Sequence, residues 1–330
     1  MNHVERFRAT MGFQPVDRLP RWEWATWWDL TVENWKSQGL PRNRTTVYEV
    51  AEYFGLDPFQ QFWFSPLDLT IEAVKQRVRG TVAAMDDYLR IRPMLFPNHA
   101  KMVEEMKSWA WRQERGEAVV WATFEGFFWF PRTLMGIEAE IYAFFDHPEL
   151  IHRINSDLCD FNLRVLDTME PVCVPTFMTI AEDMSYNHGP MLSKALFDEF
   201  LAPYYRRLVP RLRERGVIVL VDTDGDVTRM VPWLEEVGVQ GVLPLERQAG
   251  VDGMRIREAH PRALMIGHFD KMVMNGGERA VRAEFERLLP LMRSGGFIPS
   301  VDHQTPPHIT IEEYRLYRQL LDEYTEAAAR

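Results

Sequence analysis

The densest acid–base chemistry in the chain lies in Val217 to Asp226, Val-Ile-Val-Leu-Val-Asp-Thr-Asp-Gly-Asp. Its five leading aliphatic residues predict a strand covered on both faces, as in a parallel sheet. That strand runs into three carboxylates at alternate positions, Asp222, Asp224 and Asp226, interrupted by Gly225. Residues two apart share one face of a strand, so Asp222 and Asp224 should project together from its carboxyl end. Open α/β sheets and α/β barrels keep their ligands at that end. Taken alone, the motif would look the same if it were a pair of solvated loop acids beside a Gly turn.

Other predicted strand ends repeat the pattern. Glu182 stands with Asp183, Glu246 with Arg247, His268 with Asp270 and Lys271, and Asp302 with His303. In a barrel these ends converge on one mouth. Like charges that close cost free energy unless protons, metals or cationic groups offset them, so the set reads as a ligand-binding crown. Two chemistries follow. The acids with His303 or His268 can bind a divalent ion through oxygen and nitrogen ligands. Alternatively, Asp222, Asp224, Glu182 and His303 act as general acids or bases on a polar substrate. Trp22, Trp24, Trp27, Trp28 and Trp35 crowd into 14 residues near the start. Core packing and a cavity wall are both open to such rings. As a wall, Trp24, Trp27 and Trp28 would cover the substrate, with Glu246, Arg247, His268 and Tyr186 as further binding residues. His147, His152, His188, His260 and His308 sit at helix starts or beside Pro and Gly, and read as solvated.

The elements that must position these residues alternate regularly. Strands are predicted at 19–25, 118–124, 176–180, 217–221, 241–245, 263–266 and 297–301, and an eighth within 57–64 or 81–92. Helices are predicted at 1–15, 45–56, 99–114, 148–169 (capped by Asp146), 193–215 (capped by Ser193), 228–237, 252–259, 277–293 and 311–328. Residues 59–93 alternate apolar and polar positions, as in Thr70-Ile71-Glu72-Ala73-Val74, which predicts an antiparallel ribbon. Strand–helix repeats of this spacing mean right-handed βαβ units and a parallel sheet. No strand is followed by a Gly-rich phosphate turn, so a barrel is favoured over a doubly wound sheet. The expectation is a single (β/α)8 domain over residues 1–330, with an N-terminal extension and a β-ribbon insertion.

Composition narrows the function classes. The 330 residues carry a formal charge of −10, which argues against nucleic acid as a partner. No apolar run approaches the roughly 18 residues of a membrane span, and the first residues carry no secretory signal. Cys159 and Cys173 alone supply neither a disulfide framework nor a thiolate zinc site. Cytoplasm is the expected location.

Several stretches resemble the uroporphyrinogen decarboxylase-like superfamily. Leu192-Ser193-Lys194-Ala195-Leu196-Phe197-Asp198-Glu199-Phe200 with Pro203-Tyr204 looks like that family's "S-P-x-x-F-x-x-F…P-Y" helix. Asp146-His147-Pro148-Glu149-Leu150, Gly295-Gly296-Phe297 and Thr305-Pro306-Pro307 match in the same order. The resemblance implies an (α/β)8 barrel and, often, dimers. Its decarboxylase branch holds tetrapyrrole carboxylates with an N-terminal Arg-Gln-Ala-Gly-Arg segment. Here the equivalent stretch is Arg21-Trp22-Glu23-Trp24-Ala25-Thr26-Trp27, so that substrate is not expected.

The methyltransferase branch passes methyl groups between a thiol or methoxylated compound and a corrinoid on a separate protein. Its thiol-activating members bind zinc through His-x-Cys and a late Cys. Those positions fall here at Asp222 and Asp224 and at or beside Asp302-His303. The resemblance thus implies a harder site of Asp222, Asp224 and His303, joined by Glu182, for zinc or another divalent ion acting as a Lewis acid. The expected function is demethylation of a small methoxylated or methylated compound toward a corrinoid-binding protein. The alternatives are a cofactor-free decarboxylase or lyase of a small aromatic acid, and a non-catalytic corrinoid- or tetrapyrrole-binding protein.

Overall fold

A computed structural model describes residues 1–68 and 78–329. Seven parallel strands pair in chain order: β1 Phe59–Phe64, β2 Val119–Glu125, β3 Phe177–Ala181, β4 Ile218–Asp222, β5 Gly241–Leu243, β6 Leu264–Phe269 and β7 Phe297–Val301. The eighth position is filled without a ladder. Residues 21–27 run between β7 and β1: the Trp24 N–H donates to Ser300 Oγ at 3.2 Å, and the Asp57 N–H donates to the Arg21 carbonyl at 2.9 Å. This stretch was expected as a strand at 19–25, but the one bridge near it joins Trp27 to Thr305. Buried Glu23 does the pinning instead, accepting from Ser300 Oγ, the Val301 N–H and Tyr314 Oη. The architecture is the α/β barrel that the strand count predicts.

The ribbon expected over 59–93 is corrected. Residues 59–64 are barrel strand β1, paired in parallel with β2 from Phe59–Val119 to Phe64–Phe124. Met85–Ile91 is a helix. Thr70 to Val74, on which the alternation rested, lie outside the described residues. The helix expected over 193–215 is two, Lys194–Phe200 and Ala202–Glu214, interrupted at Leu201 before Pro203. Asp146 does not cap the helix Pro148–Met169, because it ends the helix Ile137–Asp146.

Inward positions alternate along each strand and fill the barrel in layers. The lower layer contains Phe59, Val119, Phe177, Leu264 and Ile298. The amphipathic helix His3–Met11 closes this end: Phe7 meets Phe177 and Trp22 at ring distances of 5.0 and 5.3 Å. Higher up, inward residues turn polar. Gln61 Nε2 donates to Thr123 Oγ1, Trp121 Nε1 donates to Thr179 Oγ1, and the two threonine hydroxyls bond each other at 2.8 Å. These residues form the floor of the space above.

Candidate functional site

A cavity of about 410 Å³ opens at the carboxyl ends of the strands. One side is built from tryptophans: Trp24 from the N-terminal segment, Trp63 at the end of β1, Trp121 within β2 and Trp129 beyond it. Asp183, Asp222, Asp224 and His303 share the lining, with the His303 ring 6.3 Å from that of Trp24. Among the lining residues there is no lysine or arginine.

Each acid owes its place to local backbone. Asp222 is the last residue of β4, and its carboxylate accepts no hydrogen bond from the described residues. Burial, and then the charges of Asp183 and Asp224, push its pKa well above the ordinary carboxylate range. Asp224 faces the imidazole of His303, with Nε2 and Oδ2 3.6 Å apart. That carboxylate raises the pKa of His303. Asp183 lies two residues past the end of β3 with φ at +42°, a conformation that short polar residues such as Asp tolerate best. Burial first, and then Asp224, raise its pKa as well.

The expected crown therefore divides. Asp222, Asp224 and His303 gather at the cavity as expected, and Asp183 joins them. Glu182 does not face the cavity. Fully buried, it accepts the N–H groups of Phe127, Phe128 and Trp129 and the hydroxyl of Tyr205. It is a brace for the loop that delivers Trp129, and its expected catalytic role is corrected. Asp302, also buried, accepts from the Arg247 N–H and from Lys271 Nζ at 3.1 Å. Glu246 accepts the Gly225 N–H at 3.0 Å, and the Arg247 guanidinium donates to the Val251 carbonyl. Neither lines the cavity.

His268 is a core residue. Its Nδ1–H donates to the Leu245 carbonyl at 2.9 Å, which leaves Nε2 to accept from the Gly253 N–H at 3.0 Å. Burial and Arg287 lower its pKa to about 3, so it is neutral at ordinary pH. Of the three expected wall tryptophans only Trp24 lines the cavity. Trp27 packs on Trp35, Phe54 and Tyr314, and Trp28 is half exposed ahead of the helix Asp29–Ser37. Tyr186 is exposed, its backbone serving the Gly225 turn.

The walls that the sequence did not disclose are Trp63, Trp121 and Trp129, with Gln61 beneath them. Gln61, Trp63 and Trp121 occupy alternate inward positions of β1 and β2, a signal hidden while 59–93 was taken for a ribbon.

Residues 70–324 match the family model for uroporphyrinogen decarboxylase (URO-D). The chain belongs to the URO-D family. Curated relatives include uroporphyrinogen decarboxylase of Bordetella bronchiseptica, 29% identical over 193 residues, covering 54% of this chain and 51% of that protein. The Bordetella petrii enzyme is 29% identical over 189 residues, covering 53% and 49%. The chain thus aligns with about half the length of the curated relatives it matches. Among solved structures, a methyltransferase from Methanosarcina mazei superposes with a TM-score of 0.67 over 98% of this chain and 99% of that one. At 14% sequence identity, that likeness speaks to the fold.

Both cysteines lie buried away from the mouth, and burial raises their thiols to about 11 and 12. Among the described residues no group of three or more His, Cys, Asp or Glu side chains is placed to hold a metal ion. The expected ligand set of Asp222, Asp224 and His303 is not such a group, and His303 is turned to Asp224. A thiolate-rich zinc centre does not fit these residues. No described helix is long and apolar enough to cross a membrane.

Proposed function

We propose that this URO-D family protein demethylates a small methoxylated or methylated compound, the methyl group passing to a corrinoid carried on a separate protein. The observation that carries this reading is the cavity itself. Its volume of about 410 Å³ lies toward the small end of ligand sites, and its lining offers three aspartates and no Lys or Arg. A polycarboxylate tetrapyrrole has the wrong charge for such a wall, whereas a small apolar methyl donor fits between the indoles. Breaking the bond from methyl carbon to heteroatom leaves the bonding pair on the heteroatom. For a methoxy substrate the oxygen then needs a proton, and Asp222, whose pKa burial raises, is the candidate donor. His303, kept protonated more readily beside Asp224, lies across the same space.

A corrinoid would supply a nucleophilic metal centre to accept the methyl group. Its carrier would approach the cavity mouth, where Trp63 is 39% exposed, which suits an apolar partner face.

The test is reconstitution. Purified protein is mixed with a reduced corrinoid-binding protein and a panel of methoxylated and methylated compounds, and the corrinoid spectrum is followed. Methyl-corrinoid that forms only when both protein and donor are present supports the reading. A second reading, decarboxylation of a small aromatic acid, draws on the same protonated Asp222 as proton donor to a carbanion. Carbon dioxide released without any corrinoid would replace the first reading with the second.

A further inference from the structure

Nothing among the lining residues balances the charge that three neighbouring carboxylates would carry except His303, already engaged with Asp224. Burial and the mutual repulsion of these acids raise the pKa values of Asp222 and Asp183. A neutral substrate would gain little from such a cluster. A cation would gain from it directly, because the acids stand in a partly enclosed space where charge interactions are poorly screened.

The tryptophans in the lining point the same way. Trp24 Nε1–H donates to the Val301 carbonyl at 2.6 Å and Trp121 Nε1–H to Thr179 Oγ1 at 2.8 Å. Both indole donors are spent on the protein, so neither N–H is free for a ligand. Indole faces attract cations most strongly of all the aromatic side chains. Trp129 already does so on the protein's own behalf, with the Arg132 guanidinium 5.0 Å from its ring centroid.

From the four tryptophans and three aspartates that share this cavity, we propose that the ligand is a small methylated onium compound, a quaternary ammonium or a sulfonium. This narrows the proposed function to its charged methyl donors. The ligand's positive charge offsets the repulsion among the three carboxylates. Arg132 also acts on Asp183, and His303 is acted on by Glu246 and Lys271.

Binding is measured by calorimetry on the full-length protein with no corrinoid present. Choline is compared with 3,3-dimethylbutan-1-ol, its uncharged carbon analogue, and with benzoate. Choline should bind on the order of tenfold or more tightly than the carbon analogue. Asp224→Asn and Asp183→Asn, each confirmed as folded by circular dichroism, should shrink the preference and leave the affinity for the analogue unchanged. Equal or tighter binding of the analogue or benzoate would overturn the inference, as would binding of neither ligand or a preference intact in both variants. Because no methyl acceptor is present, cation preference without demethylation would retire only the methyl-transfer reading. Demethylation of a methoxyarene without cation preference would retire only this one.

Discussion

Adjacent side chains at the mouth have parted company, and Glu182 and Asp183 show how. Strand alternation holds through Ala181; then Glu182 turns under the 127–129 loop while Asp183, at positive φ, turns to the cavity. Sequence periodicity could place Asp222 and Asp224 because they sit at or just past a regular strand end. It could not place His268 (φ +71°), where a single backbone angle redirects the side chain. Replacing Glu182 with Ala leaves buried donors unsatisfied, and should cost about 2–4 kcal/mol in denaturant unfolding. The same loop tolerates no Cβ at Gly126, which would fall 2.1 Å from the Glu182 carboxyl carbon.

Asp222 makes the reverse prediction. With its folded pKa raised, the native state keeps a proton that the unfolded chain has lost above the ordinary carboxylate range. The native state thus binds more protons, and its stability falls as pH rises from that range through the raised value. Asp222→Asn cannot ionise. Urea midpoints of the variant should exceed those of the parent by a margin that widens from pH 5 to pH 8, while turnover is lost. A margin that stays constant or narrows would contradict the assignment.

The pocket wall is a product of element geometry. Trp63 and Trp121 come from neighbouring strands in fixed register, Trp63 opposite Thr123 and Trp121 opposite Gln61. Trp129 comes from the turn that Glu182 clamps, and Trp24 from a segment with no strand ladder at all. The aromatic run in the sequence was visible, but its chemical meaning was not, since burial sorts Trp22, Trp27 and Trp35 into packing and leaves Trp24 to the site. Six of the seven expected strands with stated bounds, from 118–124 to 297–301, form as mostly apolar runs. β1 falls in one of the two stretches open to an eighth strand, 57–64, but Phe-Gln-Gln-Phe-Trp-Phe carries polar and apolar residues on both faces and read equally as ribbon. Two tryptophans separate packing from function. Trp121→Ala, at a buried position, should cost about 3–5 kcal/mol of stability. Trp63→Ala, at a position 39% exposed, should cost under about 2 kcal/mol yet weaken ligand binding on the order of tenfold. Thermal unfolding and calorimetric titration of both variants check this pair of outcomes.

At the scale of the molecule, barrel arithmetic and the order of the family's motifs made the fold legible. Closure through residues 21–27 was not, because it rests on Glu23 and on single hydrogen bonds that no pattern encodes. The plug formed by Phe7, Trp22 and Phe177 at the far end has kinetic force. A chamber sealed below admits and discharges its guest through the same doorway that a carrier protein would have to cover. Under the proposed function, the small molecule must therefore board before the carrier docks, and its demethylated product can depart only after the carrier leaves. Initial rates should follow a compulsory order, with excess carrier inhibiting competitively against the small molecule; random-order kinetics would mean that the chamber has a second exit.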